Sequence, residues 1–245
     1  MNAWLSPPSQ LHLPPGRVDF WRVSLRRTAG ETHRFWSLLS TAEQERAAKF
    51  YFEKDRQAFV VGRGMLRVLL GRYLALEPDA VGFEYGEFGK PALASATELQ
   101  FNVSHSQEKM LLGFCRGTAV GVDIEQIRAY EAMSDIARRY FSAVEYARFL
   151  TAPPEQMPEA FFNCWTRKEA YIKAIGEGLS CPLDEFDVSL LPSEPARLIR
   201  IRGSEAAAAA WTLLSFTPFA GYRGAAVIAG QDWQPAYYDG DAFTG

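Results

Sequence analysis

The chain has 245 residues, of which 48% are hydrophobic and 22% are charged. These fractions are typical of a soluble globular protein and exclude an intrinsically disordered one, and a chain of this length can bury a core without disulfide bonds. The chain contains 26 Lys and Arg residues and 29 Asp and Glu residues, which gives a net charge of −3. This charge provides no overall positive field that would attract nucleic acid. Three cysteines without C-x-x-C spacing argue against a zinc cage and predict a reducing, cytoplasmic location.

The first half of the chain predicts a strand, two helices and then further strands. Val18–Leu25 alternates like a strand, and Ser40-Thr41-Ala42-Glu43 is a capping box that begins a helix. The next helix, Glu53–Leu76, carries arginines through its apolar stretch and therefore does not predict a membrane span. Turn residues fill Glu84–Pro91. Short apolar segments then predict adjacent strands at Leu99–Val103, Met110–Cys115 and Ala119–Ile124.

The second half predicts two helices followed by strands. The first helix, Ala129–Leu150, ends at a Pro-Pro pair, and the second, Glu159–Ala174, ends before two glycines. The last stretch, Gln231–Gly245, is interpreted as a loosely packed end. Before it, strands are predicted at Phe186–Leu190, Leu198–Ile201, Trp211–Phe216 and Gly224–Ala229. Each region combines helices with strands, which predicts an α+β protein of two similar halves, residues 1–115 and 116–245.

Polar residues close the first of the three central strands, in the segment Phe101-Asn102-Val103-Ser104-His105-Ser106. A strand that opens into two hydroxyls and an imidazole beside free backbone N–H groups suits an anion such as phosphate. The alternative is a polar turn whose Ser and Asn side chains cap the local backbone. Taken alone, these six residues favour the turn.

Two carboxylates follow on the third central strand, in Gly121-Val122-Asp123-Ile124-Glu125. Residues two apart on a strand point to the same face, so Asp123 and Glu125 would lie side by side and repel each other unless a cation separates them. Magnesium commonly takes one or two carboxylates together with substrate phosphates and waters. The alternative is an exposed strand face with two solvated acids.

A third motif is the helical segment Trp165-Thr166-Arg167-Lys168-Glu169-Ala170-Tyr171-Ile172-Lys173. Spacings of three and four residues place Trp165, Glu169 and Lys173 on one face. The alternative is a surface ion pair between Glu169 and Lys173, with Trp165 in the core. Against it, an inward-packed Trp165 would draw both charges towards the interior, where an unpartnered charge is costly.

Together these segments resemble the 4′-phosphopantetheinyl transferases of the surfactin-synthetase-activating (Sfp) type. The resemblance runs from about Glu43 to Ala229. It rests on motifs in the family's order, which are Gly89-Lys90-Pro91, Phe101–Ser106, Gly121–Glu125 and Trp165–Lys173. It implies a monomeric pseudo-dimer of two α+β halves with the active site in the cleft between them. It also implies magnesium-dependent transfer of phosphopantetheine from coenzyme A to a serine of an acyl or peptidyl carrier protein, with release of adenosine 3′,5′-bisphosphate.

The resemblance assigns the catalytic roles to acids and bases of these motifs. Asp123, Glu125 and Glu169 correspond to the family's metal ligands, with Mg²⁺ as the expected ion and Mn²⁺ as the alternative, so the three acids are expected to converge on one ion. Glu169 is also the favoured general base for the carrier serine, with a metal-bound water as the alternative. Lys173 would contact the pyrophosphate, and His105 would balance charge on the departing bisphosphate.

The resemblance also assigns a coenzyme A site. Its residues are Arg46, Lys90, Pro91, Ser104, His105, Asp123 and Lys173. Ser104 and His105 would face the phosphates and the Lys90–Pro91 loop the adenine. Arg46 would bind the 3′-phosphate, with Arg56 or Arg63 as competitors for this role.

Two other functions remain open from the residues. One is a coenzyme A or nucleotide-binding module that lost turnover, although no expected ligand or lysine is missing. The other is a magnesium-dependent phosphohydrolase, which the same acids and bases would allow. Met133–Phe149, which follows the metal motif, is the expected surface for an acidic carrier helix, and no nucleic-acid or membrane partner is expected.

Overall fold

The computed structural model describes residues 3–86 and 89–243. Its helices are α1 (Ala29–Ser37), α2 (Thr41–Ala48), α3 (Glu53–Leu74), α4 (Met133–Tyr140), α5 (Ala143–Phe149), α6 (Met157–Ile175) and α7 (Glu205–Ala208). Its strands are β1 (Arg17–Ser24), β2 (Phe83–Tyr85), β3 (Pro91–Leu93), β4 (Leu99–Ser106), β5 (Lys109–Arg116), β6 (Val120–Gln126), β7 (Phe186–Val188), β8 (Leu198–Ile201), β9 (Trp211–Phe216), β10 (Tyr222–Ala229) and β11 (Gln234–Asp239). The predicted α+β class is confirmed.

The strands form two main sheets, ordered β11-β1-β5-β4 and β6-β10-β9, and two small hairpins, β2-β3 and β7-β8. In the main sheets, neighbouring strands run antiparallel except for β1 and β11, which are parallel. The strands β4 and β6 are therefore edge strands of different sheets, and they lie against each other.

The two sheets pack face to face between two long helices. Alternate residues explain this layering: Leu112 of β5 packs in the core that holds α3, whereas its neighbour Leu111 packs against the second sheet. On β10, Val227 faces the core of α6 and Ala226 faces the first sheet. Period-two alternation thus gives β5 and β10 two buried faces each, one for a helix and one for the other sheet.

Capping boxes determine where several helices begin. The predicted box at Ser40 and Glu43 is present at the start of α2. A second box, at Ser142 and Glu145, begins α5 and interrupts the predicted single helix Ala129–Leu150. That prediction is therefore wrong in its continuity, because the extended backbone of Phe141 separates α4 from α5.

Three other predictions need correction. The strand predicted at Leu99–Val103 continues through Ser106, so Ser104 and His105 lie on β4 and not in a turn. The predicted turn region Glu84–Pro91 contributes residues to β2 and β3, while residues 87 and 88 lie outside the described residues. The prediction of a loosely packed end at Gln231–Gly245 is wrong as well, because Gln234–Asp239 forms strand β11.

Cys115, Cys164 and Cys181 are buried and carry free thiols. Among residues 3–86 and 89–243, no helix combines the length and the apolar character needed to cross a membrane.

Candidate active site

Asp123, Ser104 and Lys173 meet where β4, β6 and α6 come together. Lys173 Nζ lies 2.6 Å from Asp123 Oδ1 and 3.0 Å from Ser104 Oγ, and Ser104 donates a 2.7 Å hydrogen bond to the same carboxylate oxygen. Asp123 and Ser104 are buried, and the lysine side chain is 28% exposed. We call this set the junction, because it joins residues of the first and second sheets to one helix.

A glycine allows the helix to lie this close to the strand. A Cβ atom at Gly121 would collide with the carbonyl oxygen of Ala170 and the backbone nitrogen of Ala174 on α6. The absence of a side chain at Gly121 therefore lets the α6 backbone rest directly on β6. This contact places Lys173 beside Asp123.

Two further carboxylates face the junction, Glu169 on α6 and Glu125 on β6. Burial, together with the negative charges of Asp123 and Glu125, raises the pKa of Glu169 from 4.5 to about 7, against the opposing effect of Lys173. Burial also raises the pKa of Glu125, although its hydrogen bond from Ser106 lowers it. Glu169 therefore exchanges protons near neutral pH, where a general base is most effective.

The donor chemistry fits a divalent cation only in part. Asp123 Oδ2 is buried without a hydrogen-bond partner among the described residues, which leaves one carboxylate oxygen available. However, across residues 3–86 and 89–243 no group of three or more His, Cys, Asp or Glu side chains is arranged to hold a metal ion. The convergence of Asp123, Glu125 and Glu169 on one ion stays a prediction, and in this structure Lys173 provides the positive charge beside Asp123. Mg²⁺ commonly uses only one or two carboxylates, so Asp123 with Glu125 remains a chemically suitable pair.

A cavity of about 630 Å³ opens beside the junction, on the α3 side of the first sheet. Val103 and His105 of β4 line it, whereas Ser104 between them points to the junction. The strand thus separates the predicted pair Ser104 and His105 onto its two faces. Partial desolvation lowers the pKa of His105, and the nearby Lys173 ammonium lowers it further.

The cavity contains two arginines that could bind a phosphate. Arg46 of α2 lies at its exposed side with its guanidinium 5.2 Å from the ring centre of Phe59. Arg63 of α3 lies deeper, with its guanidinium 4.7 Å from the ring centre of Phe83. Its Nη1 atom is buried without a hydrogen-bond partner in the described part of the chain. Arg56 lines a different cavity and pairs with Glu53, and it is not among the residues that line this one.

The Lys90–Pro91 loop bridges the cavity and the junction. Lys90 Nζ donates a 2.7 Å hydrogen bond to the carbonyl oxygen of Lys173, and burial lowers the lysine's pKa. Pro91 lines both this cavity and a neighbouring one of about 480 Å³. The side chain of Lys90 therefore ties the loop to the end of α6.

Sequence reasoning missed three polar residues of the cavity, Asp55, Tyr85 and Gln107, and the last two lie beside motifs that it had named. Gln107 directly follows the Phe101–Ser106 motif, and its positive φ of 53° marks the tight β4–β5 turn. Tyr85 belongs to the hairpin beside the Gly89-Lys90-Pro91 motif, where its aromatic ring lies 5.8 Å from the Arg63 guanidinium. Proximity to these two motifs was the available signal.

Comparisons with known proteins support a common family. A family model described as 4′-phosphopantetheinyl transferase, N-terminal, matches residues 25–113, and one described as 4′-phosphopantetheinyl transferase superfamily matches residues 119–229. The chain is 37% identical over 240 residues to the 4′-phosphopantetheinyl transferase HetI of Nostoc sp. (strain PCC 7120), covering 97% of this chain and 98% of that relative. The chain belongs to the 4′-phosphopantetheinyl transferase family.

Other relatives of this transferase match shorter stretches. The transferase Sfp of Bacillus subtilis (strain 168) is 32% identical over 160 residues, covering 65% of this chain and 70% of Sfp. AcpT of Salmonella typhi is 43% identical over 127 residues, covering 52% of this chain and 64% of AcpT. A solved structure described as a Chronobacterium ammoniagenes ACPS-CoA complex aligns with 46% of this transferase and 97% of its own chain, at 20% identity and a TM-score of 0.34. The family assignment rests on the sequence relatives.

Both family models contribute to the site of this transferase. The first covers α2, α3 and β4, which supply the cavity and Ser104. The second covers β6 and α6, which supply the carboxylates and Lys173. The junction is therefore built from both matched regions.

Proposed function

We propose that this transferase moves phosphopantetheine from coenzyme A to a serine of an acyl or peptidyl carrier protein, and releases adenosine 3′,5′-bisphosphate. The observation that carries the proposal is the cationic cavity directly beside the junction. Its volume of about 630 Å³ suits a nucleotide-sized ligand. Arginine and lysine side chains are the groups that bind phosphates through charge-assisted hydrogen bonds.

In the proposed complex, the nucleotide occupies the cavity and the pyrophosphate reaches the junction. Arg46 binds the 3′-phosphate together with His105, and Arg63 is a second arginine for this group because its Nη1 has no partner in the described residues. Pro91 borders the adenine, and Lys90 holds that loop to α6. Lys173 neutralises the pyrophosphate, with Ser104 and Asp123 fixing its ammonium.

The transfer replaces the phosphoanhydride bond of the coenzyme A pyrophosphate by a phosphate ester bond to the carrier serine. The serine oxygen forms a bond to the pantetheine-bearing phosphorus, and the bond from that phosphorus to the bridging oxygen breaks. The electron pair leaves with the bisphosphate, whose charge Lys173 and His105 balance. Glu169 accepts the serine proton, since its pKa of about 7 makes the carboxylate a sufficiently strong base.

A divalent cation, Mg²⁺ or Mn²⁺, would be held by Asp123 and Glu125. It would polarise phosphate oxygens and orient the pyrophosphate. We assign the proton to Glu169 because its pKa of about 7 suits a base, and the resemblance also gives Glu169 to the ion as a third ligand.

We also propose how the enzyme meets its carrier. The segment Met133–Phe149 forms α4 and α5; α4 carries Arg138 and Arg139, and α5 carries the exposed Val144. Basic and apolar groups together suit an acidic helix of the carrier. The working unit is a cytoplasmic monomer, because one chain supplies both the cavity and the junction. The boundary between its halves is proposed at residues 115–116, at the end of β5.

The test is to mix the protein with coenzyme A, Mg²⁺ and an apo carrier protein and to weigh the carrier by intact mass spectrometry. The carrier should gain one phosphopantetheine group, and a carrier whose serine is replaced by alanine should gain none. Asp123→Ala should abolish the gain while circular dichroism shows an unchanged fold. Near-normal turnover of this variant would contradict the assigned role.

Two outcomes would replace the proposal. Hydrolysis of coenzyme A without modification of the carrier would favour the phosphohydrolase alternative. Binding of coenzyme A with neither reaction would favour a binding module.

A further inference from the structure

Three side chains on one face of β4 connect it to the backbone of β6. Asn102 Oδ1 accepts a 2.9 Å hydrogen bond from the N–H of Val122. Ser104 Oγ and Ser106 Oγ accept longer ones, of 3.4 and 3.2 Å, from the N–H groups of Ile124 and Gln126. Each contact spans 20 residues, so the strands run in the same direction and in constant register. We call Asn102, Ser104 and Ser106 the polar ladder.

The polar ladder replaces backbone pairing that is missing between the two sheets. β4 and β6 are edge strands, and β6 bonds to β10 on its other side. Backbone N–H groups alternate in direction along a strand, so every second N–H of β6 points away from β10. Unpaired N–H groups at buried residues such as Val122 and Ile124 would be costly, and the ladder supplies their acceptors.

The two serines of the ladder also hold carboxylates. Ser104 donates to Asp123 Oδ1 and Ser106 donates to Glu125 Oε2, each at 2.7 Å. A serine hydroxyl has one proton to donate, so accepting from a fixed N–H leaves that proton directed at the carboxylate. The Asn102 rung lies opposite Gly121 and Val122 and has no carboxylate, which makes it a purely structural rung.

We propose that Ser106 is a positioning residue that, as a rung of the polar ladder, holds the Glu125 carboxylate in the orientation that binds the divalent cation. The inference rests on the proposed function, because it concerns the proposed cation pair Asp123 and Glu125. Ser106 isolates this effect, since Ser104 also receives a hydrogen bond from Lys173. Groups that hydrogen-bond to metal ligands typically change metal affinity about 10- to 100-fold when removed.

The test measures Mn²⁺ binding to the full chain by electron paramagnetic resonance, with coenzyme A present and no carrier. Ser106→Ala should raise the Kd for Mn²⁺ about tenfold. Ser106→Cys fills nearly the same space with a weaker donor and should also raise it, which guards against an Ala variant that fails to fold. Ser106→Thr keeps the hydroxyl and should restore the wild-type Kd.

Asn102→Ala is the matched control for a structural rung. It should lower the melting temperature without changing the Kd for Mn²⁺. In a Glu125→Gln background, Ser106→Ala should add no further loss of Mn²⁺ affinity, because the two residues act through one contact. Unchanged Mn²⁺ affinity in Ser106→Ala and Ser106→Cys, or no Mn²⁺ binding by the wild type, would overturn the inference.

The carrier assay separates this inference from the proposed function. A wild type that transfers phosphopantetheine while the Ser106 variants bind Mn²⁺ normally overturns only the inference. If the Ser106 variants lose Mn²⁺ affinity as expected but the wild type modifies no carrier, the inference is supported and the proposed function is overturned.

Discussion

Glu169 is held in surroundings that oppose its ionisation. Its pKa rises from 4.5 to about 7 because the side chain is buried beside Asp123 and Glu125, and Lys173 offsets only part of this effect. An acid whose pKa is higher in the folded than in the unfolded chain stabilises the fold when the pH is below its pKa in the unfolded chain. That contribution is lost as the pH rises through the folded value. Ionised Glu169 is thus a destabilising group above about pH 7.

Glu169→Gln should therefore change the pH dependence of stability. Above pH 7, without metal or coenzyme A, we expect the variant to be more stable than the wild type by about 1–2 kcal/mol, after allowing for partial solvent screening. The difference in stability should decrease as the pH falls towards about 4.5, because Glu169 then becomes protonated in both the folded and the unfolded wild type. Urea unfolding in a chelator from pH 5 to pH 8.5 measures it. A constant difference over that range would contradict the assigned pKa.

Arg46 and His105 of the cavity should determine how the enzyme recognises the 3′-phosphate. Arg46→Ala and His105→Ala each remove a group from the cavity wall. Loss of one charge-assisted hydrogen bond should weaken coenzyme A binding about 10- to 100-fold and 3′-dephospho-coenzyme A binding much less. Isothermal titration with both nucleotides measures the difference. Arg56→Ala, in another cavity, is the matched control and should bind both normally; equal losses for both nucleotides in the cavity variants would refute the role.

At the scale of the element, sequence patterns located β4 and α6 but not how each presents its side chains. The period-two order Asn102-x-Ser104-x-Ser106 is visible in the sequence. Its partner, the edge of β6, becomes visible only once the sheets are assembled, so a local polar turn was the simpler interpretation. Likewise, the apolar stripe of α3 predicts a buried face but not that Arg63 lines the cavity. Long-range packing determines both the contact of β4 with β6 and the position of Arg63 in the cavity wall, and local periodicity does not encode such packing.

The position of α6 also depends on a buried ion pair next to the catalytic face. Lys168 Nζ lies 2.8 Å from Glu145 Oε2 on α5 and donates 2.6 Å hydrogen bonds to the carbonyl oxygens of Leu183 and Phe186. The lysine and glutamate side chains are 1% and 2% exposed. Lys168 therefore fixes the helix that carries Glu169, although its own side chain contacts α5, the segment before β7 and the first residue of β7.

Lys168→Met should destabilise the protein by about 3–5 kcal/mol, because it leaves Glu145 buried without its cation. Guanidinium unfolding measures the loss. Adding Glu145→Gln should recover part of it, since the double variant no longer buries an unpaired charge. Equal stability of the single and double variants would show that the ion pair is not the source of the effect.

At the scale of the whole molecule, the two ends of the chain meet in one sheet. β11 runs parallel to β1 over six residue pairs, from Arg17 with Gln234 to Arg22 with Asp239. The backbone of Leu5 bonds to the other side of β11. The sequence around Tyr237 and Tyr238 is short and follows a turn-rich segment, so it suggested a loose end. Its pairing partner lies more than 200 residues earlier, a distance that local patterns cannot bridge.

Removal of residues 231–245 should therefore destabilise the first sheet, which carries β4 and the cavity. The deletion exposes the backbone edge of β1 and removes the rings of Tyr238 and Phe243. The centres of these rings lie 4.7 and 5.1 Å from the ring centre of Trp21. An exposed strand edge also promotes association with other chains. We expect a melting temperature lower by several degrees and concentration-dependent light scattering. Asp239→Ala is the control: it removes the 2.7 Å ion pair with Arg22 and the 3.0 Å hydrogen bond that Asp239 Oδ1 accepts from the N–H of Asp241, but it keeps the strand. It should cost about 1–2 kcal/mol without association. A truncated chain that melts like the wild type and stays monodisperse would show that β11 is dispensable for the sheet.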